Sequence, residues 1–512
     1  MPGIWDSSAG RLSTIVTGLL VNPPSISDVE GIGISHTPYF ELQRRLAGAD
    51  GIRTFPGEHP GLGLIAATAR SAGLDVRIIN GQTRWHGSLH ETLELMRRVA
   101  EAAHVVLVGF SGPVQVFEEN RWLARQVRSL LPRAVIVIGH DFSSLNWTRI
   151  LKNCPEFDAV VIGDGELAYS NLLRKLENDQ AWTDVQGLAY RKSGRPVMNP
   201  PAGAAALDNL PWVARDDAAR VKNAGLALGV FAHRGCPYSC TYCSTGTVSG
   251  PAGLSPVRQR SVESVVSEIE YLVRSFKVDH VTITDDLFVN KSRRSQQWAT
   301  DFAAALRRQV PGITYMIDCR IDSVGRETFR ELMSAGLRRV FIGIETADPD
   351  QQAFYSKRYR TSLPQPEYIR HQLSILEELG IEVLPGIITY HPHVSKEELG
   401  ELLDLVQTLG ARNCDQLLKE IIAYPGTPLC HAYKRDGLLR GEWPHMTWSY
   451  RDQRAEAHAR IMHDAARKGL DFDQLAHVFS RLLNEWHRLD AAFSLNDLQP
   501  AAPLGSGDWP GT

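Results

Sequence analysis

The chain has 512 residues, 43% of them hydrophobic and 22% charged, an ordinary globular make-up with room for roughly two to four folded units at about 150 residues each. Wholesale disorder is excluded. Lys and Arg total 55 against 58 Asp and Glu, a formal charge of -3, so neither nucleic acid nor an anionic membrane surface has an electrostatic reason to bind.

The first apolar run, IVTGLLV at residues 15–21, is too short to span a bilayer and lacks a cleavable-signal arrangement. It predicts a buried strand and a cytoplasmic protein. The seven cysteines are an odd number, and a large chain with no export signal keeps its thiols reduced, so no disulfide is expected.

Next, GLGLIAATARSAG has helical spacing and a glycine stop. The β-branched runs DVRIIN, HVVLVGF, AVIVIG and DAVVIGDGE alternate with HETLELMRRVAEA, FEENRWLARQVRSLL and NWTRILKNC at helical period. Continuous apolar strands separated by helices imply a parallel sheet covered on both faces, so residues 1–180 read as a doubly wound α/β domain with a five-stranded parallel sheet. An interruption at 24–60 falls between the first strand and its helix, at the carboxyl edge where such sheets bind ligands, and is expected to cover a site. Residues 181–225, with clustered prolines and small residues, read as a linker.

From residue 226 the alternation resumes: SVESVVSEIEYLVRSF, HVTITDD, SQQWATDFAAALRRQ, TYMIDCR, RETFRELMSAG, RVFIGIE, QPEYIRHQLSILEELG, EVLPGIITY, KEELGELLDLVQTLG and QLLKEIIAY. Six strand–helix units over 226–430 predict a (β/α)6-type partial TIM barrel with its chemistry at the carboxyl ends of the strands. Residues 431–495 are predicted helical, packed on the barrel, and 496–512 a flexible tail.

Directly after the first barrel strand, RGCPYSCTYC places Cys236, Cys240 and Cys243 on one loop in the spacing C-x3-C-x2-C. Three readings follow from the residues. A structural zinc ion would want a fourth ligand, for which His233 is near enough in sequence. A redox C-x-x-C pair leaves Cys236 unexplained. A four-iron cluster on three thiolates keeps one iron open for a ligand.

This loop resembles the signature of the radical S-adenosylmethionine (SAM) enzymes, with the aromatic Tyr242 before the third cysteine. The resemblance implies a 4Fe-4S cluster that binds the methionyl amine and carboxylate of SAM on its open iron and cleaves the sulfonium to a 5′-deoxyadenosyl radical. ITDDLFVNKSR is similar to the second-strand segment of the subgroup that carries a cobalamin (B12)-binding domain, which puts Asp285 and Asp286 near the SAM amine, unless they serve as a helix cap. RIDSVGRETFRELMSAGLRRVFIGIET is similar to its third and fourth units, with Arg320 suited to a carboxylate and Glu345 to ribose hydroxyls, unless each is a rim ion pair. AYPGTPL at 423–429 resembles the barrel-closing segment. Where the subgroup has a glycine-rich turn after the fifth strand, this chain has Tyr390, His391 and His393, which either face the substrate or form a plain loop. Cys154, Cys319, Cys414 and Cys430 show no paired spacing, so one cluster is expected. Cys319, beside Arg320, joins Tyr390 and His391 as a candidate catalytic residue.

The first domain resembles the cobalamin-binding domain of the same subgroup. A flat heterocycle approaches backbone only where side chains are small, which makes Ser111, Gly112, Gly139, Gly163 and Gly165 the candidate cobalamin contacts. The D-x-H-x-x-G cobalt-ligand motif is absent, and His140 stands where the subgroup commonly has a second glycine. The function expected from the resemblance is radical C-methylation of an unactivated carbon in a small molecule, such as a natural product, with electrons from an external flavodoxin or ferredoxin. The alternatives are a radical SAM dehydration, epimerisation or rearrangement with a vestigial cobalamin domain, and a zinc-stabilised scaffold.

Overall fold

The computed structural model describes residues 16–24, 57–81, 88–250, 252–409 and 413–498. Five strands, β1 (Val16–Asn22), β2 (Asp75–Asn80), β3 (His104–Ser111), β4 (Val135–Gly139) and β5 (Ala159–Val161), pair in parallel in the order β2-β1-β3-β4-β5. Helices α1 (Pro60–Ser71), α2 (Leu89–Ala102), α3 (Phe117–Leu130), α4 (Asp141–Asn153) and α5 (Gly165–Glu177) cover the two faces. One face buries Phe117, Phe142 and Phe157, the other Leu62, Tyr169 and Leu172. Adjacent glycines let α5 sit close: a Cβ at Gly18 would lie 2.7 Å from the Tyr169 hydroxyl, and one at Gly109 2.9 Å from its ring. That hydroxyl donates to the Leu19 carbonyl at 3.1 Å.

One departure from expectation occurs beside this sheet. The stretch read as a linker contains a hairpin, β6 (Leu188–Lys192) and β7 (Arg195–Met198), which extends the sheet antiparallel from β5 to seven strands. Ser193 and Gly194 at its tip both have positive φ, 50° and 77°, the two-residue turn that matches strand twist, and Pro196 is tolerated because β7 is an edge. The interruption expected to cover a site lies outside the described residues from 25 to 56.

Helix α3 carries Glu119 into the interior with 0% exposure and no partner for either carboxyl oxygen. Burial pushes its pKa up to about 7. The folded chain therefore holds a proton that the unfolded chain has released above about 4.5, so stability falls as pH rises from there to about 7 and is flat beyond. Glu119→Gln is expected to remove this fall, adding about 2–3 kcal/mol at pH 8 and almost nothing at pH 4, as read from urea unfolding at the two pH values. Equal effects at both would disprove it.

The second domain begins with α6 (Ala218–Asn223) and β8 (Leu228–Val230), followed by a short antiparallel pair, β9 (His233–Arg234) and β10 (Arg258–Gln259), that brackets α7 (Ser244–Ser249). Then come α8 (Val262–Phe276), β11 (His280–Ile283), α9 (Arg293–Gln309), β12 (Thr314–Arg320), α10 (Arg326–Ser334), β13 (Leu337–Glu345), α11 (Pro349–Phe354), α12 (Gln365–Glu378), β14 (Glu382–Ile387) and α13 (Lys396–Thr408). Strands β8, β11, β12, β13 and β14 form a parallel curved sheet in that order. The sixth predicted strand is reduced to one parallel bridge, Tyr390 to Glu420. Thr389 and Tyr390 N–H both donate to the Lys419 carbonyl, and Ile421 N–H returns to Tyr390. Cys414–Leu417 coils as a 3-10 turn and Pro425 follows closely, so too little extended chain is left for a ladder.

The C-terminal region is helical in α14 (Pro428–Arg435), α15 (Gln453–Arg467) and α16 (Phe472–Asn484), with a small hairpin, β15 (Leu439–Arg440) and β16 (Thr447–Trp448), inside the stretch predicted as helix. Met462, Phe479 and Leu482 join the barrel core. Inside the stretch expected to be a tail, Asp497 completes the capped 3-10 turn Leu495–Asp497 and Leu498 is buried, and residues 499–512 lie outside the described residues. Among the described residues no helix is long and apolar enough to cross a membrane.

Candidate active site

The three-cysteine loop is pinned from behind. Asp285, at the end of β11, accepts the Ala232 and His233 N–H at 2.7 and 2.9 Å and the His233 ring at 2.8 Å. It is 2% exposed and wholly committed, so it shapes the loop and does not face a SAM amine as the resemblance implied. His233 also meets Gln259 through its second nitrogen at 3.0 Å. Both ring nitrogens are engaged, and the residue that a zinc site would have used as its fourth ligand is not available. Gly235 has φ +82°, and a Cβ there would strike the Pro256 carbonyl. Thr241 N–H donates to Tyr355 and its carbonyl accepts from Leu429, both across the barrel mouth.

Cys236, Cys240 and Cys243 are free and half-buried. Burial, with the other two thiols adding to it, pushes Cys236 up to about 11, so a cation beside this sulfur would favour its ionisation. Among the described residues no three His, Cys, Asp or Glu side chains ring a single point. Three thiols of one loop, each free for a different iron, fit a 4Fe-4S cluster.

Around the loop lie the barrel residues. Tyr242 donates to Glu345 at 3.0 Å, and Lys357 donates to the same carboxyl oxygen at 2.6 Å and lies 3.3 Å from the Tyr242 hydroxyl. Glu345 has φ +68°, a conformation uncommon outside glycine. Arg320 reaches to 3.5 Å of the Cys240 sulfur, pairs with Asp322 at 3.0 Å and stacks 3.9 Å over the Tyr238 ring. Asp286 takes the Gly235 N–H at 3.1 Å and the Thr245 hydroxyl at 3.0 Å and is open to the cleft. Asp318, two residues before Arg320 and so on its face of β12, is pushed up to about 7 by burial beside Asp285 and Asp286. Neither Lys357 nor Asp318 was singled out from the sequence. A lone carboxylate in the apolar run TYMIDCR was the readable signal for Asp318.

The candidate catalytic residues do not gather here. Cys319 shares the helix-facing side of β12 with Tyr315 and Ile317, 5% exposed in the barrel core, because strand alternation turns it away from Arg320. Tyr390 is fully buried against α15, its hydroxyl 2.9 Å from the His458 ring. His391 is held by Glu398 at 3.0 Å and by the His393 N–H at 3.3 Å. These are internal polar contacts, the first under α15 and the second against α13.

The two domains meet through charged side chains. Arg234, in the cysteine loop, pairs with Glu166 at 2.6 Å and Asp164 at 3.3 Å, and Arg258 pairs with Asp164. Ser244 donates to Asp141 at 3.0 Å. Together these bring the carboxyl edge of the first sheet onto the cysteine loop. Between them lies a cleft of about 340 Å³ lined by His59, His140 and Gly163 on one side and Phe231, Arg234 and Asp286 on the other.

Of the candidate cobalamin contacts, Gly163 lines this cleft with φ +73°, and a Cβ there would crowd Ala252 at 2.7 Å. Gly139 has nothing nearer than Val161 at 3.5 Å in the direction of a Cβ. Gly112 and Gly165 are small for the domain's own packing: a Cβ would crowd Ser143 at 2.7 Å and Ile65 at 2.7 Å respectively. The Ser111 hydroxyl is covered by the His59 ring at 2.8 Å. Asn120 holds the Ser111 carbonyl at 2.7 Å, and its own buried amide oxygen has no partner. Open backbone at Gly139 and an orphaned acceptor beside Ser111 fit a flat, amide-rimmed corrinoid.

A parallel barrel whose first loop bears three thiolates, clamped to a doubly wound domain across a shared cleft, defines an iron–sulfur enzyme with a second cofactor domain. The chain is a radical SAM enzyme with a B12-binding domain. The Radical SAM superfamily matches residues 230–406 and the B12 binding domain matches residues 50–173. The chain is 23% identical over 388 residues, 75% of it and 80% of the relative, to an uncharacterized methyltransferase, PH0819, of Pyrococcus horikoshii. It is 26% identical over 320 residues, 59% of it and 60% of the relative, to an anaerobic magnesium-protoporphyrin IX monomethyl ester cyclase of Synechocystis. In fold it is similar to TsrM, a radical SAM methyltransferase of Kitasatospora setae with cobalamin and a [4Fe-4S] cluster bound, at TM-score 0.61 and 15% identity, covering 96% of this chain and 93% of that one.

Proposed function

We propose that this enzyme is a cobalamin-dependent radical methyltransferase acting on an unactivated carbon of a small molecule, such as a natural product. The observation that carries the reading is the shared cleft: the Arg234 clamp holds the loop for one cofactor against the sheet edge for the other. When bound, the cluster with SAM supplies a 5′-deoxyadenosyl radical and the corrinoid supplies a methyl group. The chain contributes placement and shielding. Cys236, Cys240 and Cys243 hold the cluster; Arg320 and Asp286 suit the methionyl carboxylate and amine; Glu345, set by Tyr242 and Lys357, suits ribose hydroxyls. Walls such as Phe231 keep water from a reactive centre. The name of PH0819 supports methyl transfer. An external one-electron donor, flavodoxin or ferredoxin, and a reducing cytoplasm complete the proposal.

The test is anaerobic reconstitution with reductant, SAM and hydroxocobalamin, measuring 5′-deoxyadenosine and S-adenosylhomocysteine together. Both products with cobalamin retained are expected. Deoxyadenosine alone points to radical chemistry without methyl transfer, and neither product with an intact cluster defeats the proposal. Cys240→Ala is expected to abolish the brown chromophore and both products, while bound zinc without iron in the native chain would favour the scaffold.

A further inference from the structure

The chain carries a formal charge of -3, yet one part of the barrel rim is strongly basic. Two loops on the carboxyl side of the barrel, residues 291–294 beyond β11 and 356–363 beyond α11, read KSRR and SKRYRTSL, with no acid in either. Lys357 is turned inward to Glu345; Lys291, Arg293, Arg294, Arg358 and Arg360 are exposed. Arg358 reaches the Pro349 carbonyl at 3.1 Å. Arg293, Arg294 and Arg360 enter no hydrogen bond or ion pair among the described residues. Arg293 and Arg294 also open α9, whose first turn has no acid. The positive end of the helix dipole disfavours cations there, so the fold gains nothing from their charge.

The two loops meet just outside the cysteine loop. The Lys291 ammonium lies 5.8 Å from the Tyr368 ring and 3.4 Å from Asp322. Tyr368 packs 5.8 Å from Tyr359, and Tyr359 lies 5.6 Å from the Arg320 guanidinium, which reaches the Cys240 sulfur. A few side chains therefore separate the basic rim from a cluster ligand, and the cysteine loop itself meets solvent at Pro237 and Ser239. Leu363, 42% exposed, adjoins α12, the helix that carries Tyr368, and adds an apolar spot to the rim. Charge of one sign around a small apolar centre is the make-up of a surface that receives an oppositely charged protein in a transient encounter.

We propose that this rim is the docking surface for the one-electron donor, and that the donor is an acidic flavoprotein of the flavodoxin type, with its carboxylates on Arg293, Arg294 and Arg360 and the edge of its flavin against Leu363. One electron leaves the anionic flavin hydroquinone, which becomes the neutral semiquinone, and reduces the oxidised cluster; no proton moves and no bond forms. This rests on the external donor included in the proposed function.

The test uses the full chain with its cluster reconstituted and flavodoxin as the probe. Binding of oxidised flavodoxin, read by titration calorimetry, is expected to weaken steeply with salt. It should weaken on the order of 100-fold when Arg293→Glu, Arg294→Glu and Arg360→Glu are combined, and survive when the same three positions are changed to Lys. Carbodiimide cross-linking is expected to join Lys291 to a flavodoxin carboxylate, as mapped by mass spectrometry. In the triple Glu variant SAM cleavage driven by reduced flavodoxin should fall with the binding, while cleavage driven by dithionite stays at the wild-type rate, which separates docking from folding and from the SAM site. Flavodoxin binding that ignores the three reversals, or cross-links that avoid Lys291, overturns the surface. Cleavage driven by ferredoxin and not by flavodoxin overturns the choice of partner. A wild type that cleaves SAM with dithionite and with neither protein overturns the external donor beneath it.

Discussion

Glu268→Ala is expected to destabilise the chain by about 3–5 kcal/mol, the largest stability effect of any single substitution proposed for it. Glu268 sits on α8 with 0% exposure and receives Arg260 at 2.6 Å and Arg215 at 2.8 Å. Arg215 also pairs with Glu58, from just ahead of α1, and donates to the Gly229 carbonyl at 2.8 Å. All four side chains are less than a tenth exposed. Removing the carboxylate leaves the buried Arg260 guanidinium without its counter-charge and Arg215 with Glu58 alone, and water cannot reach them to compensate. The network joins both domains, so the apparent melting transition should fall as a whole; thermal unfolding followed by circular dichroism reads it. A loss under about 1 kcal/mol would mean that solvent enters the network.

Lys357→Met is the second large effect, on activity. Lys357 is 4% exposed and its ammonium lies 2.6 Å from Glu345. Without it, Glu345 keeps only Tyr242, its carboxylate loses the charge that offsets burial, and its φ of +68° is no longer held from both sides. On the proposed reading, in which Glu345 binds the ribose of SAM, Lys357 is a positioning residue, since it acts through Glu345. Misplacement of a binding group by about 1 Å costs on the order of 100-fold, so SAM cleavage should fall by about that factor with KM for SAM raised and cluster iron retained. Lys357→Arg should recover part of the loss. A rate and KM within about threefold of wild type would remove Lys357 from the SAM site. The same crowding explains Gly343, where a Cβ would meet the Lys357 ammonium at 2.7 Å.

Much of this architecture was legible because its signals are local. The three-cysteine loop, the apolar runs of β1, β3 and β4 and the helical periods between them each depend on neighbours a few residues away. The hairpin at 188–198 was also written locally, in the alternation around Ser193-Gly194, but the prolines beyond it drew the reading toward a linker. The sixth barrel strand failed in the opposite sense: an apolar run is necessary for a strand, and Lys419–Ile421 found only one bridge to pair with.

Spacing and periodicity are properties of the chain alone, and they suffice to place three cysteines at the mouth of a parallel barrel that follows a doubly wound domain. Which side chains face the cleft depends on the packing of distant elements. Asp285 and Asp286 are adjacent, yet one ties down the His233 backbone and the other opens on the cavity; Cys319 and Arg320 diverge by strand alternation. Lys357, Arg215 and Glu166 take their roles from partners 12, 53 and 68 residues away. A buried charge is fixed by where its counter-charge arrives in space, and no rule of local spacing carries that information.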